Sequence, residues 1–432
     1  MRVRRIQYKL NLCGLLLWAG LGMLRVGYGQ TQELAILSFD DCVQELIQQN
    51  PDLQAAQEAV AKTRNDLVIR FSPFLPQVSA DGNASRNGGD TSSGYSVGDS
   101  LSIGLSARQN LFSGFKDQAR LEQGRALLSA EAMRLRRVKS ELSLTLKTAF
   151  YRLVYADDFL RLAQTIATRR KDNVQLVELR FEAGREHKGS YLRNLAFFHQ
   201  AQSDVTQAKR AVQTAQQQLA SLLGRREDSG LTVNGRLIQI KAPEFDPEYK
   251  RLLGQTPDHL EALSQWRAAR DAVRIAQADF YPELNASASA GRQNDDFPIN
   301  QEQWSVGLSL SLPLFTGGRT LFTTRNARLD QSISRAKLES VDDLLAATLR
   351  ERFTDWQDAV ERAGIQAEFL TAAQLRAEIA RGQYSNGLIT YDDWDLIEND
   401  LIEKEKALLA VRRDAILAHA RWERIIGEGA IP

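Results

Sequence analysis

The 432-residue chain is poor in the side chains that carry most chemistry, with 2 Cys, 3 Met and 4 His. So few cysteines exclude a disulfide framework, and His187, His199, His259 and His419 are too scattered for a multi-ligand zinc site. No His-Glu-x-x-His, Cys-x-x-Cys or Gly-x-x-x-x-Gly-Lys spacing occurs, and the Gly-x-Ser-x-Gly match at Gly94 to Gly98 falls in a Gly/Ser-rich stretch between strands rather than at a strand-to-helix elbow, so neither enzymatic activity nor a cofactor is expected. The small number of methionines, one of them the initiator, also argues against a methionine-lined copper path. Net charge is lacking too: 55 Lys+Arg against 54 Asp+Glu leave +1, no global field with which to recruit nucleic acid. Beyond Leu24 no apolar run reaches the length of a spanning helix, so the rest of the chain is either soluble or crosses a membrane as a β-barrel.

Proline is absent from Gln77 to Ala242 and again from Leu314 to Ile431, stretches that can hold very long helices. At the N-terminus Arg2, Arg4, Arg5 and Lys9 precede an apolar run from Leu10 to Leu24, and Gly27 and Gly29 supply the small residues of a cleavage site. Residues 1–29 read as a secretory signal peptide. The alternative, a membrane anchor, needs roughly 20 apolar residues, whereas this run is interrupted by Asn11 and stops at Arg25. Cleavage would leave Cys42 as the one cysteine.

What the chain does contain is a duplication. Asn50-Pro51-Asp52-Leu53 recurs as Thr256-Pro257-Asp258-His259-Leu260, and Phe74-Leu75-Pro76 recurs as Phe280-Tyr281-Pro282 at the same offset. Leu111-Phe112-Ser113-Gly114 matches Leu314-Phe315-Thr316-Gly317, Phe181 and Gly184 match Tyr384 and Gly387, and Leu222-Leu223-Gly224 matches Ile425-Ile426-Gly427. Five anchors in one order define two copies, 30–224 and 256–427, joined by a segment at 225–255 and followed by a tail at 428–432.

Each copy reads as helix, strand, strand, long helix, helix. Period-two alternation predicts strands over about 76–86, 100–111, 283–292 and 303–312, each with small polar residues on one face and apolar residues on the other. The segments Asn87 to Asp99 and Gln293 to Glu302, rich in Gly, Ser, Asn and Asp, are expected to be hairpin loops. A soluble sheet with one buried face would alternate similarly. Ser, Asn and Gly in place of Lys and Glu on the polar face favour a membrane barrel, as do strands of about nine to ten residues. Four strands cannot close a barrel, so the chain must oligomerise, three copies being favoured over two.

Long helices are expected over about 115–182 and 318–384, each followed by another, at about 190–223 and 390–426. In the first, Leu142, Leu146, Ala149, Leu153, Ala156, Leu160, Ala163 and Ala167 recur in steps of four and three, the seam of a helix packed lengthwise on neighbours. Glu403-Lys404-Glu405-Lys406 reads as a solvated helix face.

In this combination the chain resembles the TolC family of outer membrane efflux proteins over essentially all of its mature length. The resemblance implies a mainly α-helical protein with transmembrane β-strands. It would form a homotrimer whose twelve strands make a barrel in outer membrane lipid and whose helices make a tunnel through the periplasm. It also implies partners, a periplasmic adaptor and an inner-membrane transporter that supplies the energy of efflux or type I secretion. Tyr384 and Asp393 match residues of the family's pore constriction, and Gly184, Gly387 and Leu388 match the helix-turn tips that meet the adaptor. Ile389 and Leu396 depart from it, standing where an arginine and a second aspartate ring can lie. Read without the resemblance, Tyr384 packs between helices, and Asp392, Asp393 and Asp395 are first-turn acids behind the N-cap Thr390. A periplasmic coiled-coil adaptor without a pore is the alternative for the whole chain.

Overall fold

The computed structural model describes residues 36–432 apart from 92–93, 226–230, 242–245 and 296. The expected signal segment lies outside the described residues, as do parts of the joining segment. In chain order the elements are β1 (Ile36–Leu37), α1 (Phe39–Gln49), α2 (Pro51–Phe71), β2 (Gln77–Thr91), β3 (Gly94–Ser113), α3 (Lys116–Glu182) and α4 (Lys188–Leu222). They continue with β4 (Thr232–Val233), α5 (Tyr249–Leu253), α6 (Pro257–Ala278), β5 (Glu283–Asn294), β6 (Gln301–Ser311), α7 (Arg319–Ser385) and α8 (Tyr391–Ile426). The order α2-β2-β3-α3-α4 recurs as α6-β5-β6-α7-α8.

The duplicated prolines start the short helices. Asn50 Oδ1 accepts from the amides of Asp52 and Leu53, 3.0 Å each, and Thr256 Oγ1 accepts from the His259 amide, with Pro51 and Pro257 at the first helical position. The two 67-residue helices α3 and α7 are each about 100 Å long at 1.5 Å per residue. Helix α3 packs on α2 and α6 in one half of its length and on α4 and α8 in the other, while α7 packs on α6 and α8. Across the molecule the order is therefore α2-α3-α6-α7 near the sheet and α4-α3-α8-α7 away from it. Leu142, Leu146, Leu153, Ala156 and Ala163 of the predicted seam are buried, and Ala149, Leu160 and Ala167 are half-buried.

Three short features went unanticipated: α1, the parallel pair β1 and β4, and α5. The first two gather on the middle of α3 around Leu146, Phe150 and Leu153, joined by Ile431 of the C-terminal tail. Helix α5 packs beside Phe353 of α7. They wrap the duplicated frame at mid-length.

The strands form one antiparallel sheet in the order β2-β3-β5-β6. They are 15, 20, 12 and 11 residues long, longer than expected, because most of the supposed loop at 87–99 is paired, from Asn87 opposite Gly98 to Thr91 opposite Gly94. The Gly and Ser content that suggested a loop does not hinder a ladder made of backbone groups. Pairing carries the alternation straight across the sheet. Ser79, Ser106, Ser289 and Ser305 form one row, and the hydroxyls within each hairpin lie 2.8 Å apart. On the other face Ala80, Leu105, Ala290 and Trp304 form a row, and Val78, Ala107, Ala288 and Val306 form the next. That apolar face is bare: Trp304, Val306, Leu308 and Leu310 are each more than 70% exposed.

Helix α8 ends at Gly427, at φ +74°, where an added Cβ would stand 2.3 Å from Pro257 Cγ at the start of α6. Gly427→Ala therefore combines backbone strain with a clash against a ring that cannot swing away. A loss of roughly 1–3 kcal/mol is expected, read as a lower thermal midpoint in detergent.

Candidate functional site

The ends farthest from the sheet are two helix-to-helix turns, α3–α4 and α7–α8. Both long helices stop the same way. Gly184 (φ +66°) and Gly387 (φ +77°) take the left-handed conformation after the last turn. The next amides, of Arg185 and Leu388, reach back to the carbonyls of Arg180 and Gln383 at 2.8 and 2.9 Å. The following helices are capped by side chains. His187 Nδ1 accepts from the Ser190 amide, and Thr390 Oγ1 accepts from the Asp393 amide while donating to Asp393 Oδ2 at 2.6 Å.

Tyr384, in the last turn of α7, is fully buried, so its side chain lies inside the packing of the turn. Its ring stacks on Trp394 with centroids 4.5 Å apart, in a cluster with Val177, Ala380 and Tyr391. Its hydroxyl donates to Glu186 Oε2 of the α3–α4 turn at 3.0 Å, linking the two copies of the repeat. Burial, and then the neighbouring Glu186 charge, raise the phenol further above its ordinary value, so it remains a donor at any physiological pH. Arg180 of α3 reinforces the link. Its Nη1 donates to the Tyr384 carbonyl at 2.7 Å and its guanidinium lies 4.6 Å from the ring centre, placing positive charge at the negative end of α7. Ile389, where the resemblance allows an arginine, packs against this cluster.

One to three turns away, α8 is tied to α3 and α4 by charge. Asp395 is almost fully buried, with Arg193 of α4 at 3.0 Å and Arg170 of α3 at 3.7 Å. Arg193 also reaches Asp392 at 3.3 Å. Arg169 lies 2.9 Å from Glu398 and holds Glu405 with two hydrogen bonds, and Arg170 donates to Asn399. Burial outweighs the two arginines and raises the Asp395 carboxyl above its usual range.

The chain matches the family of outer membrane efflux proteins over residues 42–225 and 249–428, which takes in both copies of the repeat. It belongs to that family. Among curated relatives it is 28% identical over 398 residues to the alkaline protease secretion protein AprF of Pseudomonas aeruginosa, covering 87% of this chain and 80% of AprF. It is also 28% identical over 415 residues to the pyoverdine export outer membrane protein OpmQ of the same organism, covering 90% and 83%. Among solved structures, the outer-membrane channel OprN superposes with a TM-score of 0.81 at 23% identity, covering 91% of both chains. The chain is thus an outer membrane exit duct, in a family of channels rather than enzymes.

Within this family fold the residues singled out from the sequence fall in one region but in different settings. Gly184, Gly387 and Leu388 lie at the tips, with Leu388 73% exposed. Asp393 is exposed at the first turn of α8, where it caps, and Leu396 is exposed one turn on. Asp395, read as one of three first-turn acids, is instead buried between arginines, and those arginines are the residues that sequence reasoning missed. A signal did exist: Asp392, Asp395, Glu398 and Glu405 are spaced by three, three and seven, which puts them on one face of a helix.

Proposed function

We propose that three copies of the chain close into a ring, with the sheets forming a twelve-stranded barrel and the helices a tunnel that ends at the helix-turn tips. The observation that carries this reading is the pair of unlike edges left bare by one copy. One edge consists of β6 and α7, and the other of β2, α2 and α4. Along α7, Phe322, Leu329 and Ile333 near the sheet and Phe369, Leu375 and Ile379 toward the tip are all exposed. On the opposite edge Val68 and Ile69 of α2 and Leu192 of α4 are exposed as well. Joining unlike edges head to tail covers these side chains, pairs β6 with the next β2, and closes on itself in a ring.

Charge favours the same joint. Helices α3 and α4 carry 18 basic and 10 acidic residues, whereas α7 and α8 carry 16 and 19, so every junction in the ring sets a basic hairpin beside an acidic one. Three copies are favoured over two because an eight-stranded barrel is filled by its own side chains, whereas twelve strands leave a lumen. The bare apolar face then meets lipid and the serine rows line the passage.

At the tips, Tyr384 acts on the constriction through its bond to Glu186, and Asp393 supplies an exposed carboxylate that threefold symmetry would turn into a ring favouring cations. Gly184, Gly387 and Leu388 form the surface offered to a periplasmic adaptor. The adaptor joins the duct to an inner-membrane transporter, which supplies the energy because the chain has no nucleotide-binding loop of its own. Efflux and type I secretion both fit this assembly, and relatives named for protease secretion and for pyoverdine export stand on either side.

Negative-stain imaging of the protein extracted from outer membranes tests the assembly. Threefold particles with a stem on the order of 100 Å are expected. Small monomeric particles would overturn the ring.

A further inference from the structure

The four strands contain three basic residues, Arg86, Arg108 and Arg292, and the two faces of the sheet treat them differently. Arg86 and Arg292 lie on the apolar face, beyond Trp304 on the side away from the helices. Each is paired with the acid directly opposite on the neighbouring strand, Arg86 with Asp99 at 3.1 Å and Arg292 with Glu302 at 2.6 Å. Arg108 stands on the serine-bearing face, two residues from Ser106 on β3. It is exposed and forms no ion pair among the described residues. A bare charge toward lipid is costly, whereas toward water it is tolerated and its field acts on whatever passes.

The surroundings of Arg108 are small and neutral. Its row across the strands is Gln77, Arg108, Ser287 and Gly307, and an added Cβ at Gly307 would meet only Ser287 Oγ, at 3.5 Å, so the wall here is open. The row on one side is Ser79, Ser106, Ser289 and Ser305, and the row on the other includes Asn110, Asn285 and Ser309. The sheet carries two carboxylates on this face. Asp81 and Glu283 each lie four residues along a strand from the Arg108 row, about 13 Å away. Asp81 is already held by the Ser79 and Ser106 hydroxyls, each 3.2 Å from its Oδ2. Both acids are beyond the screening length of about 8 Å in physiological salt, so neither cancels the arginine.

We propose that the three Arg108 side chains of the ring form an anion-binding collar inside the barrel, favouring ions and cargo that bear several carboxylates. The proposal rests on the reading that the serine face lines the passage. Twelve strands about 4.8 Å apart and tilted by about 40° set a wall of roughly 12 Å radius, and an extended arginine brings its charge to about 8 Å from the axis. Three such charges, acting through water and screened by salt, enrich a univalent anion roughly threefold at the axis and a trivalent one roughly twentyfold. The guanidinium fork fits a carboxylate with two parallel hydrogen bonds, and the serine and asparagine rows beside it offer further donors. An anionic cargo driven past the carboxylates of the tips is thus drawn onward within the barrel.

Block and ion selectivity in planar bilayers test the collar. Citrate, trivalent in mildly alkaline buffer, should lower the single-channel conductance of the wild-type protein, and Arg108→Gln should need roughly twentyfold more citrate for the same effect. The chloride-to-potassium permeability ratio, read from the reversal potential in a KCl gradient, should fall several-fold in Arg108→Gln and further in Arg108→Glu. Arg108→Lys keeps the charge and should keep the wild-type ratio. Citrate block and reversal potentials that are the same in wild type, Arg108→Gln and Arg108→Glu would overturn the collar. Ser305→Cys reports separately on the face. A water-soluble thiol reagent should modify it and change conductance, while Cys42, buried with its thiol pushed up to about 11, stays unmodified. Modification of Ser305→Cys with unchanged selectivity in the Arg108 variants removes the collar alone, and no modification removes the serine-lined passage and the collar with it.

Discussion

Replacing Tyr384 by Phe should raise the mean conductance of the protein in planar bilayers several-fold. Phe keeps the stacking on Trp394 and the face offered to Arg180, and removes only the hydroxyl that donates to Glu186 across the two copies of the repeat. A hydrogen bond to a charged acceptor contributes about 1.5–3 kcal/mol, which weights the joined arrangement of the hairpins by roughly tenfold to a hundredfold per protomer. Glu186 keeps a second donor in the Ser190 hydroxyl at 3.0 Å, so its charge is not stranded and the turn should stay folded. Adding Asp393→Ala should raise conductance further, because it removes the carboxylate exposed near the entrance and, with it, the acceptor that holds the Thr390 hydroxyl in its capping position. Tyr191→Phe is the control: its hydroxyl meets Glu178 inside the α3–α4 hairpin, so losing it should leave conductance unchanged. Equal conductance for Tyr384→Phe and wild type would remove the tyrosine from the gate.

How much of this was legible in the sequence depended on how local the cause was. The helices and their ends follow from residues a few positions apart, such as Pro51 after Asn50, Pro257 after Thr256, and Gly184 and Gly387 where the long helices stop. The two faces of the strands follow from period-two alternation, which pairing preserves across the sheet. The β2–β3 hairpin was misjudged because Asn, Gly and Ser between 87 and 99 suggest turns locally, whereas their ladder depends on a partner strand. Helix α1 and the β1–β4 pair are ordered by the middle of α3, which is remote from all of them in sequence, and a two-residue strand leaves no periodicity to read.

The tips show the same limit at the level of side chains. Thr390 and Asp393 form a local cap, and the sequence spacing declares it. Tyr384 and Asp395 are set by residues from the other copy of the repeat, Glu186 and Arg180 in one case, Arg170 and Arg193 in the other. Spacing along α8 puts the acids on one face, but whether that face meets water or arginines is decided by the packing of α8 on α3.

The largest assembly defect is expected from Leu308→Arg. Leu308 lies within the bare apolar band that runs down β6 from Trp304 to Leu310, opposite Ala286, and is 72% exposed in one protomer. An arginine facing lipid at mid-membrane costs about 2–4 kcal/mol per site, and a symmetric ring repeats the cost in every copy. Insertion into the outer membrane should be lost or sharply reduced, read as disappearance of the protein from the outer membrane fraction. The neighbouring Ser309→Arg is the decisive comparison, because pairing with Asn285 puts residue 309 on the opposite, serine-bearing face. That arginine would project into the aqueous passage, so assembly should survive and ion selectivity should move toward anions. Two substitutions of identical chemistry one residue apart thus separate a lipid face from a lumen face. If Leu308→Arg inserts as well as Ser309→Arg, the apolar face does not meet lipid, and the barrel has to be rebuilt with its other face outward.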